Sequence, residues 1–249
     1  MESRKALITG ASSGIGAATA RQLASEGYSL WLTYTSNEKD AASVAKQCRQ
    51  VGAAEVYYSR LDLRAAESIA SLIGEVMATW GSLHVLINNG GVCSYLAFDD
   101  IEQDEWDAVM ETNARGTFFV TRAALPLLRK SEGDRSIVNI SSIAGEIGSI
   151  HTAFHYAASK GAILAISKSF AKQLAAEQIR VNSVAPGPVT TAITDQLEEE
   201  KRDALSKQVP LGAFGEPEDV AWIISALASP HARFITGATY DVNGGARIG

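Results

Sequence analysis

Short apolar runs alternate along the chain with longer segments in which apolar residues recur every three or four positions. The short runs predict seven β-strands, because they are bounded by turn residues and rich in β-branched and aromatic side chains. These runs are residues 6–9, 29–33, 55–60, 85–88, 137–140, 180–184 and 239–242. The longer segments predict helices. They are residues 15–26, 39–50, 65–79, 105–129, 156–177 and 218–228.

This alternation of strands and helices predicts the fold. Strand–helix–strand units place their strands parallel, with helices on both faces of the sheet. We therefore predict an α/β protein, a single-domain doubly wound (Rossmann) parallel sheet spanning residues 1–249. The polar stretch at about 188–210 is expected to form a flexible lid. Within it, Glu198, Glu199 and Glu200 are interpreted as a solvated helix face.

Composition and charge narrow the class of protein. Hydrophobic residues make up 46% and charged residues 20% of the 249 residues, as in a soluble globular protein. A net charge of −6 without a Lys/Arg cluster argues against a nucleic-acid partner. Cys48 and Cys93 make no disulfide framework, and no apolar run reaches the roughly 18 residues of a membrane span. With no signal-peptide pattern at its start, the chain is expected to be cytoplasmic.

The first predicted strand leads into a glycine-rich turn, residues 9–16, where a helix begins. Glycines let the backbone approach a phosphate, and the free N–H groups of a helix N-terminus attract the anion. The Gly-x-x-x-Gly-x-Gly spacing is wider than the Gly-x-Gly-x-x-Gly dinucleotide fingerprint. We predict a dinucleotide-binding turn, with a purely structural turn as the alternative. The expected binding positions are Gly10, Ser12, Ser13, Gly14, Ile15 and Gly16.

The end of the second strand bears on which dinucleotide is bound. An acidic residue there would bond the ribose 2′-hydroxyl of NAD and repel a 2′-phosphate. Tyr34 occupies the matching position, and the first acid is Glu38. Thr35, Ser36 and Asn37 offer donors to a phosphate, although no arginine is obviously placed to clamp it. We therefore predict NADP(H) rather than NAD, with Tyr34, Thr35 and Ser36 in contact with it.

Three later strand ends carry polar or glycine residues at the same edge, where open α/β sheets bind ligands. An aspartate after the third strand would hold the adenine amino group or form a plain polar turn. An amide and a glycine after the fourth strand suit a backbone packed against a cofactor. Two prolines after the sixth strand make a rigid extended turn. The expected contacts are Asp62, Leu63, Asn89, Gly90, Pro186, Gly187, Val189 and Thr191.

Tyr156 and Lys160 stand one helical turn apart, so both side chains can reach one point in space; a chance pair on a surface helix is the alternative. An ammonium nearby favours the phenolate and lowers the tyrosine pKa from about 10, and a second cation such as an oxidised nicotinamide ring is needed to bring it into the range of a general acid. Ser141 and Ser142 end the preceding strand, where a hydroxyl can polarise a carbonyl or cap a turn. Asn113 lies inside a helical pattern although asparagine is a poor helix former, so either a hydrogen-bonding role or an ordinary helix position without a special role is expected.

Three further residues are candidates for the pocket wall, and a packing or surface role is the commoner alternative for each. They are Cys93, His151 and His155. The four histidines show no spacing typical of a metal site, so no metal is expected.

Together these motifs resemble the short-chain dehydrogenase/reductase family over essentially the whole chain. Residues 9–16 are similar to its cofactor loop and residues 88–91 to its Asn-Asn-Ala-Gly motif. Residues 209–221 and 235–245 resemble the branch that contains 3-oxoacyl-(acyl-carrier-protein) reductases. The resemblance implies a homotetramer and a catalytic tetrad. Its members are Asn113, which would position a water; Ser142, which would bond the carbonyl oxygen; Tyr156, which would donate the proton; and Lys160, which would also bond the nicotinamide ribose.

Three departures from the family pattern bear on these expectations. Gly91 replaces the usual alanine, a change that should loosen the loop. One extra residue separates Ser142 from Tyr156, and Ser142 fits the catalytic position better than Ser141, with the choice left open. Glu177 stands where carrier-protein reductases have a basic residue, and an acidic rim repels an acidic carrier.

The sequence therefore predicts an NADPH-dependent reductase that interconverts a ketone and a secondary alcohol. The resemblance suggests a 3-oxoacyl-thioester substrate, so the partner is a small-molecule or thioester-linked ketone. One alternative is a dehydrogenase of a sugar, polyol, steroid or secondary-metabolite ketone; another is an NADP(H)-sensing protein without turnover. Pocket walls are expected from residues 93–96, 143–155 and 188–208, which leaves the substrate open.

Overall fold

The computed structural model describes residues 3–149, 152–192, 194 and 198–248. Within these residues, seven parallel strands form one sheet in the order β3-β2-β1-β4-β5-β6-β7. The strands are β1 (Lys5–Ile8), β2 (Ser29–Tyr34), β3 (Val56–Arg60), β4 (Val85–Asn88), β5 (Arg135–Ile140), β6 (Ile179–Pro186) and β7 (Thr239–Val242). The predicted doubly wound parallel sheet is confirmed.

Helices connect the strands and cover both faces of the sheet. They are α1 (Gly14–Ser25), α2 (Glu38–Val51), α3 (Ala66–Trp80), α4 (Gln103–Met110), α5 (Gly116–Lys130), α6 (Ala144–Ile147), α7 (Phe154–Leu174), α8 (Glu199–Gln208) and α9 (Pro217–Ala228). A π-helical turn, Glu111–Arg115, joins α4 to α5. Short 3₁₀ turns lie at Phe98–Asp100, Ala175–Glu177 and Pro230–Ala232.

Strand β1 shows why the central strands are apolar along their whole length. Ala6 and Ile8 pack into the layer formed with α1, α2 and α9, whereas Leu7 packs into the layer formed with α3, α5 and α7. All three side chains are fully buried. Successive residues of a strand point to opposite faces, so a sheet covered by helices on both sides needs apolar residues at every position.

The observed elements differ from the predicted ones mainly at their ends. β5 begins at Arg135 rather than at residue 137, because the polar Ser136 is paired within the sheet and donates its hydroxyl to the Leu227 carbonyl at 3.0 Å. The single helix predicted over residues 105–129 is divided by the π-helical turn. Helix α6 was not predicted.

The acidic segment within the predicted lid forms helix α8. Glu199 and Glu200 are exposed in its first turn, so the interpretation as a solvated helix face is confirmed. The flexibility of the lid stays a prediction. Residues 193 and 195–197, which belong to the same predicted lid, lie outside the described residues.

Parallel pairing brings the carboxyl ends of the strands to one edge of the sheet. Strand β1 lies between β2 and β4, so the connections diverge there and leave a crevice. A cavity of about 1270 Å³ opens at this point and is lined by residues that follow β1 to β6. The volume exceeds the roughly 300–1,000 Å³ of an ordinary small-molecule site, which leaves room for two ligands side by side. No helix in the described ranges is long and apolar enough to cross a membrane.

Candidate active site

The glycine turn lies at the carboxyl end of β1 and opens α1. Gly10 and Gly14 have φ angles of +64° and +53°, a region that favours glycine. Ser13 precedes the helix and makes no side-chain capping bond to a described residue, so the N–H groups of the first turn face the cavity. Ser12 and Ile15 also line the cavity.

The third glycine of the turn, Gly16, does not line the cavity. A Cβ atom there would lie 2.3 Å from the Gly10 carbonyl oxygen and 2.6 Å from Nδ2 of Asn89. Gly16 therefore allows the start of α1 to pack closely against the glycine turn. The predicted contact of Gly16 with the cofactor is replaced by this packing role.

Asn89 fastens the loop after β4 to the glycine turn. Its Nδ2 donates to the carbonyls of Thr9 and Gly10 at 3.1 and 2.9 Å. The Thr9 hydroxyl in turn accepts from the backbone N–H groups of Asn89 and Gly90 at 3.0 and 2.9 Å. Asn89 and Gly90 line the cavity, and the Asn89 amide is used to hold the two loops in register.

The ends of β2 and β3 form the next part of the cavity wall. Thr35 and Ser36 line it as predicted, whereas Tyr34 does not belong to the lining. The Tyr34 ring lies 6.3 Å from the Tyr58 ring, and Glu38 hydrogen-bonds the Tyr34 hydroxyl. Because neighbouring residues of a strand face opposite sides, Tyr34 points away from the surface that Thr35 presents.

Asp62 and Leu63 both line the cavity after β3. Oδ1 of Asp62 accepts from the Arg64 backbone N–H at 2.9 Å, so the carboxylate also closes a local turn. The strand-end turn expected for Asp62 is observed, whereas its contact with the adenine amino group stays a prediction.

Tyr156 and Lys160 extend from α7 toward the end of β5. Nζ of Lys160 lies 5.7 Å from the centroid of the Tyr156 ring and donates to the Ile140 carbonyl at 2.9 Å. Lys160 is only 6% exposed. Among the described residues no acidic side chain forms an ion pair with Lys160, so no neighbouring carboxylate neutralises its positive charge.

The two serines after β5 have different environments. The Ser141 hydroxyl is buried and donates to the Lys160 carbonyl at 2.8 Å. The Ser142 hydroxyl accepts from the Ala144 N–H at 3.1 Å and hydrogen-bonds the Tyr156 hydroxyl at the cavity. The geometry therefore favours Ser142 over Ser141 as the serine that reaches a ligand beside Tyr156.

Asn113 lies in the π-helical turn, which accounts for an asparagine inside a long helical segment. It is fully buried. Its Nδ2 donates to the Val92 carbonyl and the Ser159 hydroxyl, each at 2.9 Å, and its Oδ1 accepts from the Val92 N–H at 2.8 Å. The side chain therefore joins the loop after β4 to α7, and does not contact Lys160 itself.

Burial shifts the pKa values of Tyr156 and Lys160 in opposite directions. Loss of hydration raises the pKa of Tyr156, and the nearby Cys93 raises it further, while the bond to Ser142 opposes the rise. Burial lowers the pKa of Lys160 to about 8. Among these residues alone, burial outweighs the other influences and keeps the pKa of Tyr156 above its usual value. The lowering of the Tyr156 pKa by Lys160 together with an oxidised nicotinamide ring stays a prediction.

The remaining wall of the cavity is mostly uncharged. The described residues there are Val92, Cys93, Tyr95, Ile143, Ile147, Ser149, Thr152, Leu205, Gln208, Val209 and Ala246. Glu105 contributes a carboxylate on the α4 side. Pro186, Gly187, Val189 and Thr191 line the cavity as predicted.

Of the histidines considered as wall residues, His155 is fully buried between α4 and α7 and does not line the cavity. Its Nε2 lies 3.5 Å from Oε1 of Glu105, and its ring packs 6.0 Å from that of Trp106. The packing role is the one observed. His151 lies outside the described residues.

Cys93 lines the cavity, and burial raises the pKa of its thiol to about 11.

Comparison with known proteins identifies the family. The model described as "Enoyl-(Acyl carrier protein) reductase" matches residues 10–247. The chain is 37% identical to a 3-oxoacyl-[acyl-carrier-protein] reductase of Staphylococcus aureus, with 97% of each chain covered. It is 36% identical to the protein of that name from Thermotoga maritima, with 98% of each covered. The chain belongs to the short-chain dehydrogenase/reductase family.

Solved structures show the same relationship. A dehydrogenase/reductase from Sinorhizobium meliloti superposes with a TM-score of 0.93 at 32% identity, covering 100% of this chain and 96% of the other. A short-chain type dehydrogenase/reductase from Mycobacterium marinum gives a TM-score of 0.93 at 28% identity, covering 99% and 96%. The protein is an oxidoreductase acting on CH–OH and C=O groups, in a family that uses nicotinamide cofactors.

The site fits a nicotinamide dinucleotide. Left-handed glycines at the start of α1 admit close backbone approach, and the free N–H groups there suit a pyrophosphate. Polar and apolar strand ends provide walls for two nucleoside halves within one continuous cavity. When bound, the dinucleotide supplies or accepts a hydride.

Gly91 is packed more tightly than its exposed position in the loop suggests. A Cβ atom there would lie 2.8 Å from Oδ1 of Asn113, whose amide already makes three hydrogen bonds. A methyl group at this position requires the buried amide to move. The prediction that glycine merely loosens the loop is therefore replaced by a steric requirement.

Gly91→Ala is expected to lower the free energy of unfolding by about 1–3 kcal/mol, the usual cost of overpacking. Urea denaturation followed by circular dichroism measures it. Gly74→Ala is the matched control, because Gly74 lies within α3 with open space at its Cβ position. That variant should gain about 0.5–1 kcal/mol. Equal stability of Gly91→Ala and the wild type would show that Asn113 is not confined.

Proposed function

We propose that the protein is an NADPH-dependent reductase that converts a ketone to a secondary alcohol, reversibly. One observation carries this proposal: Tyr156 and Ser142 line the same cavity as the glycine turn. A proton donor and a dinucleotide site in one cavity are what carbonyl reduction requires.

Each residue of the site has a definite part in this reaction. The Tyr156 hydroxyl donates its proton to the carbonyl oxygen of the substrate. The Ser142 hydroxyl bonds the same oxygen and holds it in line. The Lys160 ammonium stabilises the phenolate that remains, in a buried setting where charge interactions are strong. The hydride comes from the cofactor.

Asn113 positions other residues of the site and does not itself contact the reacting atoms. Its amide holds Val92 on the cavity wall and Ser159 on α7, and the Ser159 hydroxyl donates to the Tyr156 carbonyl at 2.7 Å. The turn of α7 that carries Tyr156 is thereby fixed to the loop after β4. The water-positioning role of Asn113 implied by the family resemblance stays a prediction.

The phosphorylated dinucleotide is proposed because the end of β2 presents no acid to the cavity. Thr35, Ser36 and Asn37 line it there, and Glu38 is engaged with the Tyr34 hydroxyl. Hydroxyl and amide groups donate to a phosphate, whereas a carboxylate in the same place would repel it.

The substrate is proposed to be a neutral ketone or a 3-oxoacyl thioester on a small carrier. The curated relatives are named for substrates on acyl carrier protein. In this chain Glu177 is bound to Arg129 through two hydrogen bonds of 2.6 and 2.7 Å. The guanidinium of Arg129 is therefore neutralised by its partner and offers little net attraction to an acidic carrier. Both residues lie outside the cavity lining, near the end of α7 opposite to Tyr156, so the acidic rim expected from the sequence is not part of the cavity wall.

We further propose that the protein is cytoplasmic and forms a homotetramer, as the family resemblance implies for the oligomeric state. Helices α5 and α7 carry a stacked pair of rings, Phe118 and Phe170, with Phe118 exposed. Trp222 on α9 and Phe234 after it are exposed on another side. Exposed aromatic side chains on two sides of a subunit suit two different interfaces.

Tyr156→Phe is expected to lower kcat about 100-fold or more, because it removes the proton donor but keeps the ring. NADPH binding, followed by fluorescence, should stay within about twofold because the rest of the site is unaltered. The assay follows loss of NADPH absorbance with a panel of small ketones and diketones. Near-normal turnover by the variant would remove Tyr156 from the mechanism.

The kcat/KM for ketone reduction is expected to fall as the pH rises through about 8. Burial lowers the pKa of Lys160 to about 8, so its ammonium is present below that pH and is lost above it. Tyr156, with its raised pKa, stays protonated over the same range. Cys93→Ser should keep the decline, since the thiol titrates at about 11. A profile that is flat well beyond pH 8 would contradict the role of Lys160.

A comparison of acetoacetyl thioesters tests the substrate proposal. With N-acetylcysteamine, coenzyme A and acyl carrier protein as carriers, kcat/KM should differ by less than about tenfold, because Glu177 neutralises Arg129, the cation that would otherwise attract the acidic carrier. A preference of more than about 100-fold for the carrier-protein thioester would contradict the argument from Glu177 and Arg129.

A further inference from the structure

Arg60 is the last residue of the edge strand β3 and is not part of any role described so far. It pairs in register with Tyr34 at the end of β2, and its side chain is exposed. Its Nε donates to the Thr35 carbonyl at 3.1 Å. Within the described part of the chain, its two terminal amino groups donate no hydrogen bond.

Arg60 does not itself line the cavity, but this contact holds its guanidinium beside Thr35, at the corner of the cavity that follows β2. Thr35 lies in the cavity wall with Ser36 and Asn37, the residues that follow β2. Since Nε is bonded to the carbonyl of Thr35, the rest of the planar guanidinium lies within a few ångströms of these residues. Sequence spacing does not reveal this cation, because Arg60 is 25 residues from Thr35 and meets it only through strand pairing.

The acidic groups nearest to this corner are already engaged. Glu38 bonds the Tyr34 hydroxyl, and Asp40 accepts from the side chain of Asn37 at the start of α2. The guanidinium of Arg60 has no carboxylate partner among the described residues. A cation without a carboxylate partner, beside hydroxyl and amide donors, is an arrangement suited to a phosphate dianion.

We infer that Arg60 determines the preference for the phosphorylated dinucleotide, by contacting the 2′-phosphate together with the residues that follow β2. This inference rests on the proposed NADPH dependence. It supplies the arginine that the sequence does not obviously place near the phosphate. It also predicts a charge-dependent contact, which weakens as salt is added.

The experiment compares three variants with the wild type. Arg60→Ala removes the cation, and Arg60→Lys keeps the charge without the planar guanidinium. Arg49→Ala is the matched control, because Arg49 also bonds a backbone carbonyl of β3, that of Val56, at the strand end remote from the cavity. For each protein, kcat/KM is measured with NADPH and with NADH. Calorimetry measures binding of 2′-phospho-ADP-ribose and of ADP-ribose, which needs no turnover.

In Arg60→Ala the ratio of the NADPH to the NADH value of kcat/KM is expected to fall by about tenfold or more. The affinity for 2′-phospho-ADP-ribose should fall by a similar factor and lose most of its salt dependence. Arg60→Lys should recover part of the ratio, and Arg49→Ala should keep the ratio of the wild type.

Three results would overturn the inference. An unchanged ratio in Arg60→Ala, with a wild type that prefers NADPH, would refute the role of Arg60 alone. An equal loss with both dinucleotides would show that Arg60 only holds Thr35 in place. A wild type that binds 2′-phospho-ADP-ribose no better than ADP-ribose would refute the proposed NADPH dependence, and the role of Arg60 with it.

Discussion

The site depends on the way Lys160 is fastened to the end of β5. Its ammonium donates to the Ile140 carbonyl, and its own backbone carbonyl accepts from the Ser141 hydroxyl. These two hydrogen bonds join Lys160 to consecutive residues at the end of β5, Ile140 and Ser141. They fix both the position of α7 along the strand and its rotation. Gly145 makes this possible, since a Cβ atom there would lie 2.5 Å from the Lys160 carbonyl carbon. Tyr156, one helical turn earlier, is thereby placed beside Ser142.

A second set of bonds fixes the loops on the other side of the cavity. Asn113 joins the loop after β4 to α7, and Asn89 joins the same loop to the glycine turn. Both are buried or half-buried amides that satisfy backbone groups of irregular segments, as buried polar groups require. The dinucleotide side and the proton-donating side of the cavity are therefore held by one connected framework.

The fold could be predicted from the sequence because its signals are local. The apolar runs that became β1 to β7 and the spacing within α1, α2 and α9 needed no knowledge of distant contacts. The same holds for Tyr156 and Lys160, whose helical spacing is enough to bring them together. Asn113 was noticed through its conflict with helix propensity, and the π-helical turn explains that conflict.

Other features depend on tertiary contacts that no local pattern reveals. Tyr34 was expected at the cofactor, but the facing direction of its strand places it against Tyr58. Gly16 belongs to packing rather than binding, and the choice between Ser141 and Ser142 needed the position of Lys160. Arg60 reaches the same corner through strand pairing alone. Burial, which raises the pKa of Tyr156, is likewise a tertiary effect that the spacing of Tyr156 and Lys160 does not reveal.

The most direct test of this account is the ionisation of the Tyr156 phenol itself. Phenolate absorbance is recorded from about pH 6 to about pH 11 for the wild type and for Tyr156→Phe without cofactor, and the difference isolates one tyrosine. No phenolate signal from Tyr156 is expected until the pH exceeds the ordinary tyrosine value of about 10. A difference signal already present near neutral pH would contradict the claim that burial holds Tyr156 protonated as a proton donor.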